Sequence, residues 1–405
     1  METREPKPAA VLAEASTSGR HRRCAAIITR MKTIAARTLA GLIGLSLLAA
    51  TASDRPRQAG GTTGFQNNYL AFEPKSLLEL AEVAHRGGAR RPAEASASPT
   101  PTRPPDLGFI NANATAKAAI QPAVTWIGHA TVLAQFGGIN VLADPHFSQR
   151  ASPVSFLDPK RAIDPAMAIA ALPRIDVVLI SHNHYDHLDD ASVRGLNAQP
   201  GGPPLFIVPL GLKAWFAERE IVSLVELDWW QSHTLAGPAG PVELVLTPVR
   251  HWSGRGLTDR MQTLWGGYAV FAPDLHLFFT GDTGYSKDFS DIRERFAARQ
   301  RSDAGGGFDL ALIAIGAYEP RWFMASQHID PAEAVQIHLD LGARRSMGMH
   351  WGTFELTDES LDEPPRRLAG ERRDKSVADE AFFVTAIGET RRLERRAPAT
   401  RQPER

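Results

Sequence analysis

The apolar positions of the chain fall into short runs with two different periods. Residues 175–180, I-D-V-V-L-I, are β-branched and nearly continuous, which predicts a strand buried on both faces. Residues 124–136 alternate and lead through Gly137 and Gly138 into 139–145, which predicts a hairpin with a glycine turn. Further strands are predicted over 204–208, 242–247, 275–280 and 346–349. Helical spacing marks 165–171, 190–196 and 210–218, with Pro165 suited to a first helical position. This interleaving of strands and helices predicts one layered α/β domain over 121–390.

Outside that span the pattern changes. Residues 31–52 place Lys32 and Arg37 ahead of an apolar run too short for a comfortable bilayer span, and close on Ala50, Thr51 and Ala52. That is the pattern of a signal peptide, so export to a periplasmic or secreted location is expected, with an uncleaved membrane anchor as the alternative. Residues 1–30 read as a non-native upstream extension, with Met31 as a candidate start. Residues 53–120 read as a linker and N-terminal docking segment: 53–64 and 86–105 are rich in Ala, Gly, Pro, Ser and Arg, while 75–84 has helical spacing. The charged stretch 391–405 is expected to be a disordered tail, and the glycine-rich 299–307 a surface insertion.

Composition narrows the chemistry. The 405 residues are 43% hydrophobic and 22% charged, ordinary for a globular enzyme, and Lys plus Arg equals Asp plus Glu at 45 each. A balanced chain lacks the basic footprint that nucleic-acid binding requires. Cys24 is the sole cysteine, which excludes an intramolecular disulfide framework and a thiolate metal cage. Any metal work falls to histidine and carboxylate.

Those donors are concentrated just after the 175–180 strand, in His182, Asn183, His184, Tyr185, Asp186 and His187. Three imidazoles and a carboxylate at a strand end offer the nitrogen and oxygen donors that suit zinc or a similar divalent metal. Three more such groups follow predicted strands: His251 after 242–247, Asp282 between glycines after 275–280, and His350 after 346–349. Taken singly, His251 could be structural and Asp282 a turn residue. Four strand ends carrying the same chemistry are hard to read as separate accidents.

The ordered set H-x-H-x-D-H, His, Asp, His resembles that of the metallo-β-lactamase fold, which implies a four-layer αββα sandwich. Further stretches, the first of them broadly shared and E-L-D-W-W and A-Y-E-P-R-W-F-M much narrower, resemble the hydrolases that cleave N-acylphosphatidylethanolamine with phospholipase D regiochemistry. They are T-W-I-G-H-A-T-V (125–132), D-P-H-F-S-Q-R-A-S-P (144–153), E-L-D-W-W (226–230), A-Y-E-P-R-W-F-M (317–324) and Q-H-I-D-P-A-E (327–333). The resemblance implies two zinc ions per chain. His182, His184 and His251 would hold one, Asp186, His187 and His350 the other, and Asp282 would bridge, with a hydroxide between the metals as nucleophile. On the same basis Asp186, Asp282 and His328 are catalytic and Tyr185 and His328 contact substrate, His328 near the phosphate, although a tyrosine there could be packing and a histidine near Pro331 a helix cap. Asp144 and Asp189 are expected to orient ligand imidazoles. Trp229 and Trp230 fit acyl-chain contact or plain packing. The implied partners are a phospholipid substrate and a membrane surface, no nucleic acid, and a possible homodimer. The alternatives are a hydrolase of another ester, such as a lactone or cyclic phosphodiester, and a non-catalytic metal-binding protein; the complete ligand set argues against the last.

Overall fold

A computed structural model describes residues 64–70, 75, 82, 98–154, 158–256, 258–300 and 306–396. The expected glycine turn is present: β2 (Thr131–Phe136) and β3 (Ile139–Ala143) pair antiparallel around Gly137 and Gly138, at φ 62° and 82°. Residues 124–136, however, are not one strand. β1 (Ala123–Gly128) stops at Gly128, the chain reverses through His129 at φ 54°, and β2 pairs back on β1. His129 and Ala130 are not residues that mark a turn in sequence, so the break was hidden.

β4 (Val177–Leu179), β5 (Leu205–Pro209) and β6 (Leu224–Leu227) extend this sheet in parallel from β3. β14 (Thr390–Arg392) adds antiparallel to the other edge of β1, giving the order β14-β1-β2-β3-β4-β5-β6. The second sheet begins with an antiparallel run of β7 (Ser232–Gly237), β8 (Gly240–Thr247), β9 (Gly267–Phe271) and β10 (His276–Phe279). β11 (Leu310–Ala314), β12 (Ser346–Met349) and β13 (Phe382–Phe383) continue it in parallel.

Side-chain alternation separates the layers. Val132, Ala134, Val141, Val177, Leu179 and Ile207 face the core between the sheets, while Leu133, Leu142, Val178, Phe206 and Val208 face a second core outside the first sheet. That outer core is covered by α1 (Leu107–Ala114), α2 (Asp190–Asn197) and α3 (Lys213–Ala217) through Ile110, Val193, Leu196 and Phe216. α4 (Asp288–Gln300), α6 (Pro331–Leu341) and α7 (Glu363–Asp374) bury Phe289, Ile292, Val335, Ile337 and Leu368 against the second sheet, and a short α5 (Arg321–Met324) precedes α6. The result is the expected αββα sandwich.

Several boundaries differ from those expected. Residues 165–171 form only a 3-10 turn, Ile169–Ala171, because the Ala166 N–H is drawn to the Ile127 carbonyl at 2.9 Å instead of joining a helical ladder. Leu210 likewise donates to Leu227, so that helix is confined to α3. The supposed linker is structured from residue 98: Thr100 is buried with its hydroxyl on the Gly352 carbonyl at 2.8 Å, and Thr102 bridges to Ile387. The supposed tail begins with β14 and continues to a buried Arg396 paired with Asp309 at 2.9 Å. The signal-like 31–52, the upstream 1–30 with Cys24, the 53–63 stretch, 301–305 of the insertion, 397–405 and all of 75–84 except Lys75 and Glu82 lie outside the described residues.

Candidate metal centre

Every expected donor leaves a strand at the same end of the sandwich. His182, His184, Asp186 and His187 follow β4, His251 follows β8, Asp282 follows β10 and His350 follows β12. Close approach of these loops needs a glycine: a Cβ on Gly281, at φ 59°, would lie 2.5 Å from Ser181 Cβ.

The donors form two groups. In the first, His184 Nδ1 lies 2.8 Å from His182 Nε2 and 3.2 Å from His251 Nε2. In the second, Asp186 Oδ2 lies 3.3 Å from His187 Nε2 and 3.4 Å from His350 Nε2, and the two imidazole nitrogens are 3.1 Å apart. Asp282 stands between them. Its Oδ2 is 3.0 Å from His187 Nε2, 3.9 Å from His182 Nε2 and 4.0 Å from His251 Nε2, and its Oδ1 is 3.1 Å from His350 Nε2. Both groups gather enough donor atoms to hold a metal ion.

Hydrogen bonding alone does not account for this packing. One Nδ1 lone pair faces two Nε2 atoms in the first group, and Asp282 Oδ1 has no hydrogen-bond partner although it is buried. A cation satisfies such converging lone pairs, so the residues fit a metal.

The far side is held in three of the five rings, while His184 Nε2 and His350 Nδ1 are buried without a hydrogen-bond partner. His251 Nδ1 donates to the Gln327 carbonyl at 2.9 Å, and His187 Nδ1 donates to Asp144 at 2.6 Å. His182 Nδ1 donates to Ser181 Oγ at 2.8 Å, whose hydroxyl donates to Asp144 at 2.5 Å. Each bond turns the ring so that Nε2 faces the cluster.

Charge divides the groups. Burial pushes His184 and His251 down to about 3 and His182 well below its usual value, so these rings are neutral. Burial acts on His187 and His350 too, but Asp282 and Asp186 outweigh it, raising His187 far above the usual range and His350 to about 9. Asp186 and Asp282 are held well below the carboxylate range against the cost of burial, His187 being the chief cause in both.

One member of the centre was missed. His129, fully buried in the turn after β1, donates from Nε2 to Asp186 Oδ2 at 3.0 Å, and its carbonyl accepts from His350 N at 3.0 Å. Both His129 and His350 have positive φ, 54° and 63°, a strain of about 1–3 kcal/mol each that the surroundings must over-determine. Its signal was present in T-W-I-G-H-A-T-V: like the others, it follows a strand.

A family model described as "Beta-lactamase superfamily domain" matches residues 139–351, over half of the chain. The chain belongs to the metallo-β-lactamase superfamily. Within the superfamily it is 39% identical over 274 residues to N-acyl-phosphatidylethanolamine-hydrolyzing phospholipase D 1 of Caenorhabditis elegans, covering 65% of this chain and 74% of that protein. An uncharacterized protein of Mycobacterium tuberculosis is 39% identical over 312 residues, 74% of this chain and 77% of its own. A possible metal-dependent hydrolase from Veillonella parvula superposes with a TM-score of 0.53 at 16% identity, over 67% of this chain and all of that one, which shows the fold. The protein is thus a metallo-β-lactamase-fold hydrolase carrying a His/Asp cluster suited to metal.

The remaining expected residues of this superfamily member divide. His328 is at the centre: its Nδ1 is buried without a hydrogen bond, 3.8 Å from Asp282 Oδ2, and its ring meets His251 edge-on at 5.4 Å. It is not a helix cap, because α6 is capped by Asp330 in a capping box with Glu333. Tyr185 lies at the rim with its hydroxyl on the Arg255 carbonyl at 2.9 Å and the Arg255 guanidinium 4.0 Å over its ring. Asp144 supports His187 as expected, but Asp189 touches no ligand ring; it caps α2 and binds Ser148 Oγ at 2.8 Å. Trp229 is a packing residue, its indole N–H on the Trp265 carbonyl, and Trp230 lies under Arg295.

Proposed function

We propose that the protein is a dizinc phosphodiesterase that cleaves N-acylphosphatidylethanolamine-type phospholipids with phospholipase D regiochemistry. The observation that carries this reading is the 39% identity to the Caenorhabditis elegans phospholipase, over 74% of its length, joined to a cluster in which two donor groups share one carboxylate. His182, His184 and His251 would hold one zinc, Asp186, His187 and His350 the other, with Asp282 serving both. Zinc bound there would lower the pKa of water toward about 7 and offset the charge of a phosphodiester.

The chain's own residues do the rest. His129 and Asp144 keep Asp186 and His187 turned toward the centre. His328, which burial pushes down to about 3 and so keeps neutral, and whose Nδ1 has no partner within the protein, hydrogen-bonds a non-bridging phosphate oxygen and orients the phosphodiester. Tyr185 shapes the rim, its hydroxyl already engaged by Arg255. The 31–52 segment would direct the protein out of the cytoplasm, where N-terminal sequencing of protein from its native host should find a start after Ala52.

Purified full-length protein should contain about two zinc ions per chain and release N-acylethanolamine and phosphatidic acid from N-acylphosphatidylethanolamine vesicles. Fully loaded protein that ignores these vesicles but turns over a lactone or cyclic phosphodiester would refute the lipid reading while leaving the metal centre standing.

A further inference from the structure

Asn67 belongs to a stretch that neither the family match nor the expected catalytic domain includes, yet it touches the metal centre's support. His251, buried completely, has its backbone N–H bonded to Asn67 Oδ1 at 2.9 Å, and its carbonyl accepts from Asn67 Nδ2 at 2.9 Å. One side-chain amide therefore satisfies both main-chain groups of one residue, as a neighbouring strand would. The two bonds also fix which end of the amide is oxygen. The partners are 184 residues apart in the chain.

The segment that carries Asn67 is itself anchored. Phe65 is buried in the core between the sheets, and its N–H donates to the Met261 carbonyl at 2.7 Å. Asn68 Nδ2 reaches Asp288 at the start of α4 at 2.8 Å. Residues 64–68 therefore run beside the loop between β8 and β9, with Phe65 against its far end and Asn67 against His251. On either side of His251 the loop is held by a β-bridge between Arg250 and Gly284 and by the Gly254 N–H on Asn183 Oδ1 at 2.7 Å, but among the described residues only Asn67 bonds the main chain of His251 itself. Ser253 and Met261 tie the loop to itself, through Ser253 Oγ on the Thr263 carbonyl and Met261 N on the Ser253 carbonyl, but neither reaches His251.

We infer that Asn67 is a positioning residue for the first metal group, clamping the His251 backbone so that Nε2 meets the nitrogens of His182 and His184. The clamp works with the Gln327 carbonyl on His251 Nδ1: one fixes the ring's rotation, the other the place of its Cα. Buried main-chain groups of this kind are nearly always paired, so removing the amide frees His251 to shift. The inference rests on the metal-centre reading above and does not depend on the substrate.

The test is zinc affinity of the full-length protein, measured by competition with a chromophoric chelator, beside hydrogen exchange at the His251 amide. Asn67→Ala should weaken the tighter or weaker of the two zinc steps by about 10- to 100-fold, the range for partners that orient a ligand, and leave the other step alone. Exchange at His251 should accelerate, and activity lost at limiting zinc should return with excess zinc. Asn68→Ala, which loses only the bond to Asp288, should bind zinc as the wild type does. Asn67→Asp keeps an acceptor for the His251 N–H but no donor for its carbonyl, and should fall between; it also decides the matter if Asn67→Ala fails to fold. Wild-type affinity and wild-type His251 exchange in either Asn67 variant would overturn the clamp. A wild-type protein that binds no zinc would instead overturn the metal centre itself.

Discussion

The two donor groups lie side by side, yet they are held in opposite ways. In the first, His182 and His251 are fixed by a hydroxyl, a peptide carbonyl and a side-chain amide, all uncharged, and the three rings are neutral. In the second, His187 is fixed by Asp144, Asp186 by His129, and Asp186 and Asp282 keep His187 and His350 charged until a cation replaces the protons. Neutral supports work by placement, and charged ones by field. The first group should therefore tolerate loss of a nearby charge and suffer from a displaced backbone, and the second should do the reverse.

The largest effect should come from the residue that belongs to both. Asp282→Asn removes one charge facing five imidazoles, and a loss of several kcal/mol of charge stabilisation lowers turnover by about 10³-fold. Zinc content should drop at both steps; a variant that keeps two ions per chain and near-normal turnover would show that the groups are independent. Next comes His328→Ala, which should spare both groups and cut turnover on N-acylphosphatidylethanolamine by about 10²-fold or more, with zinc unchanged. Lost zinc would instead make His328 a ligand, since it lies within reach of His251 and Asp282.

A third variant separates the groups directly. His129→Ala should weaken one zinc step by about 10- to 100-fold through Asp186 and leave the His182, His184 and His251 group intact, as chelator competition would reveal. Equal weakening of both steps would erase the distinction between neutral and charged support. The smallest effect should be that of Tyr185→Phe. Its hydroxyl is committed to the Arg255 carbonyl, so the variant should lose about 1 kcal/mol in urea denaturation and less than tenfold in rate. A greater loss of rate than of stability would assign the hydroxyl to substrate.

Much of this centre was legible because its chemistry is local. His182, His184, Asp186 and His187 are adjacent in sequence, and the strands before His251, Asp282 and His350 are apolar enough to be seen; the bounds of β12 match the expected ones. His129 was hidden because β1 and β2 read as one alternating run in which the lone Gly128, at φ 133°, marks the reversal. Asn67 was hidden for a different reason, since nothing in G-F-Q-N-N-Y-L signals a partner 184 residues away. β14 escaped because T-R-R is an edge strand with exposed arginines, whose place depends on main-chain pairing and not on apolar side chains. The helix expected over 165–171 failed where the Ile127 carbonyl competed for an N–H, a contest that local propensity cannot register.

The pairing of β1 with β14 bears on how the protein is made. Thr125 and Thr390, whose hydroxyls meet at 2.7 Å across that pair, are 265 residues apart, among the longest loops this fold must close. In a nascent chain β1 emerges early and pairs with β2, but its other edge stays open while the whole second sheet is synthesised. An open edge is a template for any passing strand. The main-chain pairing of β14 thus closes a window of vulnerability during biogenesis, and the yield of correctly assembled protein should depend on how soon that short strand arrives.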